Sequence, residues 1–327
     1  MAAIINNIGI GSQIVQNDYD NAPIYGDIKE VTDSYGNKFV RIPKFYIRKQ
    51  VTSESYQPII SAEPMPGFYL PFVFWDFANE RELPYVDIGK YKASLSADGT
   101  KLESKTGKAP LVNKNIVEFR DLAKANGAGY QIMDIHAVDV IQTLFRVEFG
   151  TMDSQSVHPG LTGVGAAVNT GGTDAVTASS GAMGTSSAYQ FKYRGIEDPW
   201  GNVYEWIDGI NINNYQAWVC ENAEDYVSNV FAAPYKKLGY VNHSENGWVT
   251  EMGYDENYPF AEFPIAIGGS ASTYYADHYY QSTGQRVALF GGAWSNGSIA
   301  GLSFWALNVS SANAIAFAGA RLLKKAL

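Results

Sequence analysis

Four histidines, one cysteine and a few neighbouring carboxylates are the residues with which this 327-residue chain could do chemistry. His136, His158, His243 and His278 are scattered, and none has a second histidine or a glutamate at metal-ligand spacing. His136, between Asp134 and Asp139, reads as an exposed or capping residue of a helix. Cys220, in Trp218-Val-Cys-Glu221, is a lone thiol with no local base to activate it, so it reads as buried or idle. Glu197, Asp198 and Glu205 lie close together, a spacing shared by acid–base pairs and by structural hydrogen bonding. Asp18 and Asp20 lack the glycine and distal glutamate of a calcium loop. Asn242-His-Ser, Asn296-Gly-Ser and Asn308-Val-Ser fit the glycosylation sequon. The residues therefore make a poor case for catalysis, and no metal or other cofactor is expected.

The elements that would position such residues are two helices and many short strands. Asn115 with Glu118 has the spacing of a capping box, which predicts a helix from about Asn115 to Asn126, ended by Gly127. Its apolar face is Ile116, Phe119, Leu122 and Ala123. A second helix is expected after Asp134, with Val138, Ile141, Phe145 and Phe149 on one stripe and Gly150 as its stop. Alternation from Lys38 to Arg48 predicts a half-buried strand with Pro43 at an edge or bulge. Residues 1–37 read as a small polar N-terminal segment, with a strand or two for attachment. Between His158 and Lys192 the chain is rich in Gly, Ala, Ser and Thr, the composition of a long surface loop or of a pairing element at a subunit contact. From Tyr193 onward short strands and aromatic turns follow, which gives an α+β architecture with a twisted antiparallel sheet.

Composition narrows the function classes. Aromatics make up 14% of the chain and charged residues only 17%, with 32 glycines and a formal net charge of −9. An acidic chain lacks the lysine and arginine footprint that duplex nucleic acid demands, so nucleic acid is not an expected partner. A single cysteine excludes a disulfide framework within the chain and a cysteine-based zinc or iron–sulfur site. The start has no cationic region before its apolar residues, and Asn6 and Asn7 break that run, so no signal peptide is expected. No apolar stretch is long enough for a membrane span, and membrane insertion is not expected.

Two segments carry the strongest signal: Tyr193 to Trp206, and Leu289 to Leu322 at the end of the chain. Gly201-Asn-Val-Tyr-Glu-Trp206, then Gly291-Gly-Ala-Trp294, then Gly319-Ala-Arg321 resemble, in order, three motifs of the C-type lectin fold of the formylglycine-generating-enzyme type. Tyr204 stands where that family usually has tryptophan. The resemblance covers about residues 38–327 and implies an α+β C-type lectin fold of two helices, twisted antiparallel strands and long loops. The enzymatic members use active-site cysteines or copper; Cys220 lies outside the matching motifs, so the resemblance supports the fold and not the reaction.

The final segment is also similar to the variable region of proteins diversified by retroelements, such as phage tropism determinants. Fixed-looking Gly291, Gly292, Trp294, Gly297, Gly301, Leu302, Trp305, Leu307, Gly319 and Arg321 alternate with Ala293, Ser295, Ile299, Ser303, Phe304, Ala306, Val309, Ile315 and Phe317, while Asn296, Asn308 and Asn313 fit unmutated template positions. Ala, Ser, Ile, Val and Phe can be reached from an AAC asparagine codon by changing adenines alone. Lys, Glu, Gln and Met cannot, and none occurs from Gly291 to Ala318. The resemblance implies a ligand-binding domain at 38–327 with a hypervariable region at about 289–322. It implies contact through Ala293, Ser295, Asn296, Ile299, Ser303, Phe304, Ala306, Val309, Ile315 and Phe317. The implied protein is a homotrimeric receptor-binding component of a phage or prophage tail, made in the cytoplasm, whose partner is a protein or glycan on a bacterial surface. Interleaved apolar side chains would form a contact patch with aromatic anchors. A non-diversified carbohydrate-binding lectin domain and a formylglycine-generating-type enzyme are the alternatives.

Overall fold

The computed structural model describes residues 3–5, 19–52 and 55–327. The start-of-chain reading at Met1, Ala2, Asn6 and Asn7, and Asp18 of the calcium-loop comparison, lie outside them. Helix α1 spans Ile116–Lys124. The Asn115 side chain accepts from the Glu118 amide at 3.0 Å, and the Glu118 carboxylate accepts from the Asn115 amide at 2.9 Å, so the capping box closes in both directions. Ile116, Phe119 and Ala123 are buried, and Leu122 is half-buried. Helix α2 spans Ile135–Phe149, capped by the Asp134 side chain and ended by Gly150 at φ 65°. Every residue from Ile135 to Val147 is buried, so the stripe expected on one face widens to the whole circumference. The cause is position: α2 packs against strands Tyr56–Ser61 and Tyr204–Asn213. Two of its charged residues are paired, Asp139 with Lys49 and Arg146 with Glu262. Among the described residues no α-helix follows α2.

Two larger sheets carry most of the described strands. The smaller runs Tyr130–Ile132, Arg321–Lys325, Tyr85–Lys92, Lys38–Pro43, Lys29–Thr32, each pair antiparallel, so the last strand lies between central and early ones. The segment boundary expected after residue 37 therefore falls inside an antiparallel pair, Lys29–Thr32 with Lys38–Pro43. Lys38–Pro43 is interior to the sheet, not at an edge; Pro43 is its last residue, where a missing amide interrupts no ladder. A second strand, Tyr46–Val51, begins three residues later, so the alternating stretch is two strands. Strand Ala3–Ile5 pairs with Tyr56–Ser61, which also pairs with Tyr46–Val51.

The larger sheet holds the C-terminal elements, in the order Lys236–Lys237, Gln216–Val219, Tyr204–Asn213, Gln285–Phe290, Trp305–Val309, His278–Gln281, Gly247–Met252, Pro264–Ile267. Ala318–Gly319 adds to it, parallel to Tyr204 and Glu205. One apolar cluster surrounds α2; a second, including Phe119, Tyr204, Trp206, Leu289, Phe304 and Leu322, lies beneath the C-terminal segment. Two α-helices among the described residues, with twisted, mostly antiparallel sheets and long connections, make this an α+β fold.

The glycine- and serine-rich stretch is a long excursion laid against the body. The buried Glu197 carboxylate accepts from the amides of Gly171 and Thr173 at 2.7 and 2.9 Å, and from the Thr173 hydroxyl at 2.7 Å. Gly181–Ala182 pairs with Phe191–Tyr193.

Candidate ligand-binding surface

The three motifs meet in space. Arg321, fully buried, donates to Glu205 Oε1 from Nε at 3.0 Å and from Nη2 at 2.8 Å. Its other bonds go to the carbonyls of Gly89, Lys90, Glu197 and Asp198. Lys92 reaches the same Glu205 oxygen at 2.6 Å. One guanidinium thus ties the terminal strand, the central strand Tyr85–Lys92 and the Gly201–Trp206 motif into one frame. Burial would raise the Glu205 carboxyl, but Arg321 and Lys92 overcome it and hold it below its ordinary value. Glu205 and Glu197 are thereby structural.

Backbone turns complete the frame. Gly201 sits at φ 83°, and a Cβ there would stand 2.7 Å from the Leu161 carbonyl oxygen. Gly292, at φ 84°, packs against Ala300 so closely that a Cβ would run into its methyl group. Asn202 accepts from the Trp294 amide at 2.8 Å through its carbonyl, and its side chain donates to Asp198 at 2.9 Å.

On this frame the ten candidate positions divide. Ala293, Ser303, Phe304 and Ala306 are buried, with Phe304 at 0% exposure, so these four cannot present side chains to a partner in this conformation. Phe304 fills the cluster between Tyr204, at 5.4 Å between ring centres, and Tyr280, at 5.9 Å. The Ser303 hydroxyl accepts from Arg146 at 3.3 Å and its amide donates to Asp277 at 2.6 Å. Ser295 and Phe317 are exposed, Phe317 by 44%. Asn296, Ile299, Val309 and Ile315 are half-buried. Ile299, Val309 and Ile315 pack, with Trp294 and Tyr280, against the same buried cluster that holds Phe304. The outer positions are thus brought together around one aromatic base, and the inner ones form that base. Asn296 links the layers: its side chain accepts from the Ala293 amide at 2.6 Å and is bonded to the Tyr204 hydroxyl. Burial pushes that hydroxyl up to about 12, so it stays protonated.

The structure adds residues that the sequence did not single out for contact. Ring neighbours run Trp248–His278 (5.7 Å), His278–Tyr280 (4.6 Å), Tyr280–Phe304, Phe304–Tyr204, Tyr204–Phe317 (5.7 Å). Trp248, His278 and Tyr280 are half-buried. Their one signal is alternation in His278-Tyr-Tyr-Gln281, where Tyr279 is buried and Tyr280 is not; nothing local reveals that this strand lies parallel to Trp305–Val309.

The candidate chemistry is dispersed. His136, expected to be exposed, is buried, with Nε2 3.1 Å from the Cys220 carbonyl and its ring against Phe260 and Phe72. Two aromatic neighbours and the full enclosure of α2 took it inside, and burial lowers its basicity. The Cys220 thiol is buried and pushed up to about 11 by that burial, so it is not a thiolate near neutrality. Asp198 is pushed up to about 7 by burial and by the Glu197 carboxylate, against hydrogen bonds from Gln190 and Asn202. Among the described residues no three of His, Cys, Asp and Glu are grouped to hold a metal ion. None of the described helices is long and apolar enough to cross a membrane.

No family model and no curated protein matches the sequence. Among solved structures, the chain is similar to the Major Tropism Determinant P3c variant at 14% identity and TM-score 0.34, over 88% of this chain and 63% of that one. It is also similar to Treponema denticola variable protein 1 at 12% identity and TM-score 0.40, over 91% of this chain and 99% of that one. PvdO from Pseudomonas aeruginosa is similar at 10% identity and TM-score 0.35, over 91% and 98%. The chain spans 63% of the length of the tropism determinant structure.

Proposed function

We propose that this is a retroelement-diversified, non-enzymatic binding protein whose outer C-terminal positions contact a protein or glycan on a bacterial surface. The observation that supports it is the two-layer arrangement of residues 291–321: Gly291, Gly292, Phe304, Trp305 and Arg321 are buried, while Ile299, Val309 and Ile315 lie at the periphery of one apolar cluster, Phe317 stands exposed 5.7 Å from the Tyr204 ring and Ser295 is exposed. Such a division lets contact residues change without loss of the frame. Exposed or half-exposed apolar side chains grouped in this way mark interaction surfaces, and Phe317 is the natural anchor. In this reading residues 38–327 are the binding domain and 289–322 its variable region. The protein acts as a homotrimer at a phage or prophage tail, where repetition of a weak site raises avidity.

Two measurements test the reading. In the coding DNA, a near-copy of the 3′ end that differs only at template adenines, beside a reverse-transcriptase gene, is expected; differences elsewhere contradict diversification. In flow cytometry with labelled protein on a panel of whole bacteria, some strains are expected to bind. Ile315→Asp and Phe317→Asp should weaken that binding roughly tenfold or more. Binding unchanged by both substitutions contradicts the assignment of the surface.

A further inference from the structure

A large cleft lies apart from the C-terminal surface and is lined by none of its ten candidate positions. It has a volume of about 710 Å³, within the size range of sites for small ligands, and opens between strand Tyr46–Val51 and its partner, the end of α2, and strand Gly247–Met252. Tyr56, Tyr254, Tyr274 and Tyr275 line it with Met152 and Met252. Tyr274, at the rim, is 77% exposed.

The charges beneath it are already matched. Arg146 donates to Glu262 at 2.8 Å and to the Tyr56 hydroxyl at 3.2 Å. Lys49 lies 2.7 Å from Glu262 and 2.6 Å from Asp139. Two cations thus face two carboxylates, and the Tyr56 hydroxyl donates to Glu262 at 2.8 Å. The charges within this group balance, and Glu251, exposed at the wall, would repel an anion. Tyrosine, methionine and threonine residues in the lining supply both apolar and hydrogen-bonding groups. That mixture fits a neutral ring compound with apolar faces and a hydroxylated edge.

We propose that this cleft is a second binding site, for a short neutral saccharide segment of a glycan, separate from the C-terminal contact surface. The tyrosine rings stack on sugar faces, and the hydroxyls of Thr250, Tyr254 and Tyr274 serve the sugar's edge. Because the ligand is uncharged, its affinity does not change with ionic strength.

Saturation-transfer NMR and calorimetry with maltotetraose, cellotetraose and chitotetraose at millimolar concentration test this, with tetra-alanine as the comparison ligand. At least one saccharide is expected to bind, with the same affinity at low and high salt. Tyr274→Ala, an exposed position whose loss leaves the core intact, is expected to weaken it roughly tenfold or more. Tyr254→Ala should do likewise, and Phe317→Asp should leave it unchanged. No binding by any of the three saccharides overturns the proposal. Loss through Phe317→Asp but not through Tyr274→Ala places the sugar on the C-terminal surface, which overturns this proposal and leaves the proposed function standing. Tetra-alanine binding with the same dependence on Tyr274 overturns the saccharide assignment.

Discussion

Residues that look alike in the C-terminal sequence do opposite work. Phe304 and Phe317 are both phenylalanines at interleaved positions, yet one is enclosed by Tyr204 and Tyr280 and the other stands 44% exposed. Phe304→Ala should therefore cost about 3–5 kcal/mol through lost burial and a cavity, whereas Phe317→Asp should move the melting temperature little. Parallel thermal melts of the two variants check this; equal losses would show that both are core. Arg321 was legible as a motif residue, and its depth explains why: it holds one carboxylate oxygen and four carbonyls, none of which has water to turn to. Arg321→Met should destabilise by about 3–5 kcal/mol, because Glu205 would keep only Lys92 as a charged partner. Asp198 carries a pH prediction. Its folded value, about 7, lies above its unfolded value, so the folded state binds the extra proton. Its contribution is fully present below the unfolded value and is lost as pH rises through about 7. Asp198→Asn should flatten that loss in melts across the window; an unchanged pH profile would contradict it.

At the scale of elements, what was legible was local. Asn115 and Glu118, and Asp134 with Gly150, mark helix ends by chemistry contained within a few residues, and both helices begin there. Asn115→Ala should cost about 1 kcal/mol, visible as a shift in the denaturant midpoint at constant slope. The sheets were legible only as a class. Lys29–Thr32 joins the small sheet, and His278–Gln281 lies beside Trp305–Val309, through pairings that no local period encodes. For that reason the aromatic rings packed around the C-terminal segment, which come from several strands, were not legible in it. Tyr280, His278 and Trp248 come from two strands upstream of it, and Tyr204 from a third. The same limit hid the burial of α2 and of His136: a helix covered on every side differs from an amphipathic one only through its neighbours.

For the whole molecule, the pairing of the last strand with Tyr85–Lys92 and the enclosure of α2 make the C-terminal segment part of a frame anchored far from it in sequence. Few charges and many aromatics belong largely to that frame. In the proposed function, residues 289–322 combine an unchangeable inner layer with a changeable outer one. A complete single-substitution scan of this segment, displayed on cells and scored for folded protein with a conformation-specific antibody, tests it most directly. Broad tolerance is expected at Ser295, Ile299, Val309, Ile315 and Phe317, and intolerance at Gly291, Gly292, Phe304, Trp305 and Arg321. Equal intolerance in both groups would contradict it.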